Sequence, residues 1–207
     1  MPTQRQQEER EYRRRQILKG ALVVFSKTPS ENVTMVDIAK ESGFGKATLY
    51  YYFDSKEAIV TELLIEGWQD LWVCIEPVLE ASNSSKQIFI HVLQTIGEQI
   101  EKNRSLYEFL FNAPAHMPSH GEQPPEWKQY QVRLYTVLKG LLDDGMASGE
   151  FPQVNPQMMM RGIGGLFHGL FFLGTKPQKI SKEEIEMLLN GIFNPPTEPT
   201  KTHEVKE

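Results

Sequence analysis

The stretch from Thr34 to Phe53 leaves this chain little choice of local structure. Thr34-Met-Val-Asp37 has the form of a capping box, in which the threonine hydroxyl takes a backbone N–H and the acid three residues on caps back. A short helix through Ile38 and Ala39 is expected to follow, and Gly43 to stop it in the left-handed conformation. Phe44-Gly45 then leads directly into Lys46-Ala-Thr-Leu-Tyr-Tyr-Tyr-Phe53. Two short helices joined by a tight glycine turn predict a helix-turn-helix.

The rest of the chain reads with helical period and without convincing period-two alternation, so the fold class is all-α. Ile17, Leu18, Ala21, Leu22 and Phe25 form the stripe of a first helix that ends at Thr28-Pro29-Ser30 and carries Arg13, Arg14 and Arg15 at its start. Asp54 and Glu57 form a second capping pattern. From there Ile59, Val60, Leu63, Leu64, Trp68, Leu71, Trp72 and Ile75 mark a long linking helix that ends near Pro77. Further helices are expected at about 85 to 102, 104 to 113, 126 to 147 and 182 to 193. Asn155 and Pro156 open another, with proline at a first-turn position where its missing N–H costs nothing. Residues 114 to 125 are punctuated by proline and glycine and read as a loop, functional or mobile. The expected organisation is a three-helix head over 1–57, a helical effector-binding and dimerisation bundle over 58–194, and a polar, disordered tail over 195–207.

Charge sharpens the division. The chain of 207 residues carries a net −5, yet residues 1 to 57 hold 10 Lys and Arg against 8 Asp and Glu, while the remainder is strongly acidic. The N-terminal part is therefore the expected DNA face. Cys74 is the single cysteine, which excludes an intramolecular disulfide and a cysteine-based zinc site; it reads as a small core residue. No apolar run reaches the roughly 18 residues of a membrane span, and the charged start does not read as a signal peptide, so a cytoplasmic location is expected. There is no nucleophile-base spacing, phosphate loop or metal cluster that points to an enzyme, and no cofactor is expected.

The spaced set Ile17-Leu18, Ala21, Phe25, Thr34, Asp37-Ile38-Ala39, Gly43-Phe44, Thr48-Leu49-Tyr50, Tyr52-Phe53 and Ser55-Lys56-Glu57 closely resembles the DNA-binding domain of TetR-family regulators. The resemblance spans about residues 12 to 64. It implies that Lys46, Ala47 and Thr48 meet bases or nearby phosphates, that Tyr50, Tyr51 and Tyr52 reach backbone and groove, and that Leu49 and Phe53 pack inward. It implies phosphate contacts for Lys56, at the start of the linking helix, and for Thr34, at a helix N-terminus. The alternative reading is a helical hairpin whose tyrosines merely pack on neighbours. Gly45, counted with the DNA-binding residues, departs from the pattern: many family members carry Ser or Thr there, so a hydroxyl that often caps the recognition helix is missing, although Gly can still occupy the cap. The run Arg13 to Arg15 reads either as an arm reaching the minor groove or as a solvated helix face.

The C-terminal part carries no transferable motif. Trp68 and Trp72 lie four apart on one helix, and Tyr107, Phe111, Trp127, Phe167 and Phe171 add aromatics on others; as a set they favour a hydrophobic or aromatic effector, though each alone also fits an ordinary core. His168, in an apolar helix, needs a partner from the core, an interface or an effector. His116, His120 and Glu122 lack ligand spacing, and no metal site is expected. Gly162, Gly165 and Gly169 permit close helix approach, and Leu166, Leu170, Leu173, Leu188, Leu189, Ile192 and Phe193 supply more apolar surface than a monomer should expose. The family resemblance implies that the last two helices form a four-helix homodimer interface, which in turn implies a palindromic operator. The full expectation is a ligand-released repressor; the alternative is a ligand-binding or adaptor protein of the same fold that does not bind DNA.

Overall fold

The computed structural model describes residues 3–81, 83–112, 125–173 and 180–193. Among them every regular element is helical: α1 (Gln4–Lys27), a 3-10 turn (Ser30–Asn32), α2 (Met35–Ser42), α3 (Lys46–Tyr52), α4 (Lys56–Leu79), α5 (Ser85–Lys102), α6 (Arg104–Phe111), α7 (Glu126–Ala147), α8 (Pro156–Phe172) and α9 (Lys182–Phe193). The fold class is all-α, as the periodicity indicates. The loop before Pro125, with His116, His120 and Glu122, and the tail 195–207 lie outside the described residues.

The chain divides into two compact units. One comprises residues 1–77 and 95–136; the other comprises 78–94 and 137–207. In the first, α1, α2, α3 and the start of α4 close around Ile17, Leu18, Ala21, Ile38, Leu49, Phe53, Ile59 and Leu63, all buried. The inward residues of α1 recur at three- and four-residue steps, which is what one helix face supplies. Gly20 sits where α1 and α2 come closest: a Cβ there would lie 2.7 Å from the Ser42 Cβ and 2.8 Å from its backbone. Gly67 allows a similar approach of α4 to Leu106 and Leu110 of α6. Phe25 of α1 stacks on Phe109 of α6, ring centroids 5.1 Å apart.

In the second unit, α8 buries Ile163, Phe167 and Phe171, and α9 buries Ile185, Leu189 and Phe193, each set spaced by four. Phe89, Phe151 and Phe193 form an aromatic triplet with centroid separations of 4.5 to 5.8 Å. Leu189 and Phe193 are thus committed to the interior of the chain and do not belong to the exposed apolar surface expected of them. Gly149 ends the turn after α7 at φ 82, in the left-handed region.

Two boundaries depart from expectation. First, α1 starts at Gln4, capped by Thr3 and Gln6, so Arg13 to Arg15 stand in the middle of a helix and are no N-terminal arm. Second, the cap of α4 is the Ser55 hydroxyl, which accepts the Ala58 N–H at 3.1 Å, instead of the expected Asp54 pattern. The helix then runs through Pro77 to Leu79.

Candidate nucleic-acid interface

The turn between α2 and α3 is built as its residues dictate. The Thr34 hydroxyl accepts the Asp37 N–H at 3.3 Å, and the Asp37 carboxylate accepts the Thr34 N–H at 2.9 Å and its O–H at 2.6 Å. These bonds stabilise the charged form and hold the Asp37 carboxyl below its ordinary range, the hydroxyl contributing most. At the other end Gly43 has φ 75, and the Phe44 N–H returns to the Ala39 carbonyl at 2.9 Å. Gly45 then occupies the N-cap of α3 with no side-chain cap, so the missing hydroxyl is a feature of the structure.

Two inward residues seat α3. Leu49 and Phe53 are buried in the head core, four apart. The opposite face therefore presents Lys46, Ala47, Tyr50 and Tyr51 to solvent, with Tyr51 71% exposed. Thr48 and Tyr52 are half-buried. Lys46 Nζ lies 5.9 Å from the Tyr50 ring centroid, and the Tyr51 and Tyr52 rings meet edge to face at 5.1 Å. The face combines one cation, small side chains at the helix start and phenol groups near its end, which suits approach to a grooved polyanion.

Thr34 and Lys56 are placed differently. The Thr34 O–H is engaged by Asp37, and Lys56 Nζ donates to the Ser30 carbonyl at 2.7 Å, holding the 3-10 turn against the start of α4. The Thr34 O–H can meet an anion only by exchanging its partner, whereas Lys56 uses one of its three N–H donors on Ser30.

Arg14 is a residue that sequence reading assigned only to a basic run. Its guanidinium meets both carboxylate oxygens of Glu62, with Nε to Oε1 at 2.5 Å. Nη1 donates to the Tyr52 carbonyl at 3.0 Å, and Cζ stands 4.4 Å from the centre of the Phe53 ring. The bond to Glu62 raises its pKa further, so it stays charged. A signal was available: Arg14 lies three residues before Ile17 on the inward stripe of α1, a place where a charge needs a partner. Arg13 pairs instead with Glu9 at 2.5 Å, and Arg15 reaches the Glu11 carbonyl, both within α1.

Of the aromatic set, Trp68, Trp72, Tyr107, Phe111 and Trp127 belong to the first unit, while Phe167, His168 and Phe171 belong to the second. Trp68, Trp72, Tyr107 and Trp127 are buried. Trp68 meets Phe111 edge to face at 5.7 Å, and the Trp72 indole donates to the Tyr130 carbonyl at 3.3 Å beneath the Arg133 guanidinium. Burial pushes the Tyr107 phenol up to about 12, so it remains a neutral hydroxyl. Trp68 is 1% exposed, and its indole N–H has no hydrogen-bond partner among the described residues. In the second unit Phe167 and Phe171 are buried, and half-buried His168 lies 5.6 Å from the Phe172 ring. The described residues include no group of three or more His, Cys, Asp or Glu placed to hold a metal ion. None of their helices is long and apolar enough to cross a membrane.

Comparison with known proteins places this arrangement. Residues 17–63 match a family model described as bacterial regulatory proteins, tetR family. The HTH-type transcriptional regulator YdgC of Bacillus subtilis strain 168 is 26% identical over 193 residues, 87% of this chain and 92% of that protein. The HTH-type transcriptional repressor KstR2 of Rhodococcus jostii strain RHA1 is 24% identical over 139 residues, 67% of this chain and 68% of that one. The solved structure of the ketosteroid transcriptional regulator KstR2 of Mycobacterium tuberculosis shares the fold, with a TM-score of 0.72 and 19% identity over 87% of this chain and 93% of that chain. Residues 17–63 are thus similar to the head of bacterial regulatory proteins of the tetR family, on a chain that shares the fold of solved regulators along most of its length.

Proposed function

We propose that this regulator is a homodimeric, cytoplasmic repressor that binds a palindromic operator through the outward face of α3 and is released by a small apolar or aromatic effector. The observation that carries the DNA half is the exposed set Lys46, Ala47, Tyr50 and Tyr51, held outward because Leu49 and Phe53 are locked inward. Thr48 and Tyr52 flank that face, Gly45 lets backbone approach, Lys56 supplies a phosphate contact beside its bond to Ser30, and Thr34 supplies one by exchanging its partner. On this reading 1–57 is the DNA-binding part and 58–194 the sensing and dimerising part.

The dimer half is supported by α8. Met158, Gly162 and Gly165 are exposed along one side, with Arg161 at its edge and Leu173 just past the helix, and a Cβ at Gly162 or Gly165 would meet no described atom within 4 Å. Apolar and small residues on one exposed helix side favour a second helix over water. The effector half is supported, within the first unit, by the Trp68 N–H, which has no partner among the described residues and lies beside Phe111 in a unit that also buries Trp72, Tyr107 and Trp127. A buried donor without a partner costs about 1 to 3 kcal/mol, which an effector bearing an acceptor would recover. The KstR2 relative named as a ketosteroid transcriptional regulator gives a first compound class to assay. A coupling of about 1 to 3 kcal/mol between effector and operator sites suffices for induction.

Selection from a random duplex pool with the full chain tests the reading. A palindromic consensus should emerge, and an effector found by thermal shift should release it. If no duplex is enriched, the chain is a ligand-binding or adaptor protein of this fold instead.

A further inference from the structure

We propose that Arg14 is a positioning residue for operator recognition: it ties the carboxyl end of α3 to the first turns of α4 and thereby sets the angle at which Lys46, Ala47, Tyr50 and Tyr51 are presented. This rests on the DNA-binding reading above and adds to it a residue that faces away from the DNA.

The recognition helix has only seven residues, ends at Phe53 in extended backbone with φ −141, and carries no basic residue in its last turn. It lacks the left-handed cap that closes α2, so its last carbonyls need other partners. Arg14 supplies one, donating from Nη1 to the Tyr52 carbonyl at 3.0 Å. The cation also stands at the negative end of the helix. The remaining edge of the same guanidinium forks onto Glu62, between Ile59 and Leu63 of the head core, and its face covers Phe53.

Three elements therefore meet on one planar group. Only a guanidinium can offer a fork to a carboxylate, a further N–H to a carbonyl and a flat face to a ring at once. The side chains of Arg14 and Glu62 are 28% and 21% exposed, so the pair is partly shielded from water. Removing it leaves Leu49 and Phe53 to hold α3 in the core but frees its last turn to tilt. A tilt misplaces side chains that read base edges while leaving charge and fold in place.

The test uses the duplex selected by the wild-type chain and a scrambled duplex of the same composition. Arg14→Met should weaken binding to the selected duplex about tenfold and leave the scrambled one unchanged, because base contacts need register and non-specific binding does not. Glu62→Gln should act in the same direction, less strongly, and the double variant should be no worse than Arg14→Met alone. Equal loss on both duplexes would mean a phosphate contact or a folding defect and overturns the proposal, as do undiminished discrimination and additive losses. If Arg14→Met does not fold, Glu62→Gln decides by the same criterion. Failure of the wild-type chain to select any duplex is a separate result that removes the operator reading and, with it, this role.

Discussion

α3 and α8 bury themselves by the same rule and show opposite exteriors. Leu49 and Phe53 seat one; Ile163, Phe167 and Phe171 seat the other, all four residues apart. Outward, α3 shows Lys46, Ala47, Tyr50 and Tyr51, whereas α8 shows Met158, Gly162 and Gly165 with Arg161 beside them. The inner stripe decides only where a helix sits. On the proposed function, partner chemistry is written on the face that packing leaves unused: charge and phenols for a hydrated polyanion, small and apolar groups for another protein surface.

The largest effect should separate the two faces of α3 itself. Leu49→Ala should cost about 2 to 5 kcal/mol in urea unfolding, since it empties a fully buried site. Tyr51→Ala should stay within about 0.5 kcal/mol of wild type. It should nonetheless lose about tenfold or more in affinity for the selected duplex, at roughly 1 to 3 kcal/mol per good contact. Wild-type affinity in Tyr51→Ala would break the assignment of that face.

Next come glycines that lie on opposite kinds of surface. Gly20→Ala drives a Cβ into the Ser42 backbone and should destabilise by about 1 to 3 kcal/mol. Gly165→Arg meets no described atom. The separate chain should fold at least as well, with up to about 1 kcal/mol gained from helix propensity. Sedimentation should find it monomeric where wild type is dimeric; a dimeric Gly165→Arg moves the interface elsewhere.

The smallest effect is acid sensitivity at the capping box. The Asp37 carboxyl titrates below its unfolded value, so its contribution is present above the ordinary aspartate range and is lost as pH falls through the folded value. Asp37→Asn should flatten that part of the acid unfolding curve. An unchanged curve would show that the box contributes nothing to the pH dependence.

Much of the head was legible because its signals are local. The capping box, the left-handed Gly43, the Gly45 cap without a hydroxyl and the Leu49–Phe53 spacing each involve residues a few positions apart, where helix geometry converts spacing into direction. Arg14 was read as part of a basic run because its partners lie 38 and 48 residues away. The cap of α4 moved by one residue because Asp54 and Ser55 both suit that place. On α9, Leu189 and Phe193 looked like interface residues. Periodicity identifies an apolar stripe without saying whether the chain itself or a partner covers it.

Hydroxyl-radical footprinting of the selected duplex with the full-length wild-type chain tests the central claim most directly. Two outward α3 faces carried by a symmetric dimer predict two protected patches related by a dyad and centred about 34 Å apart or a multiple of that turn. A single patch without a dyad, or protection that Tyr51→Ala leaves unchanged, would contradict it.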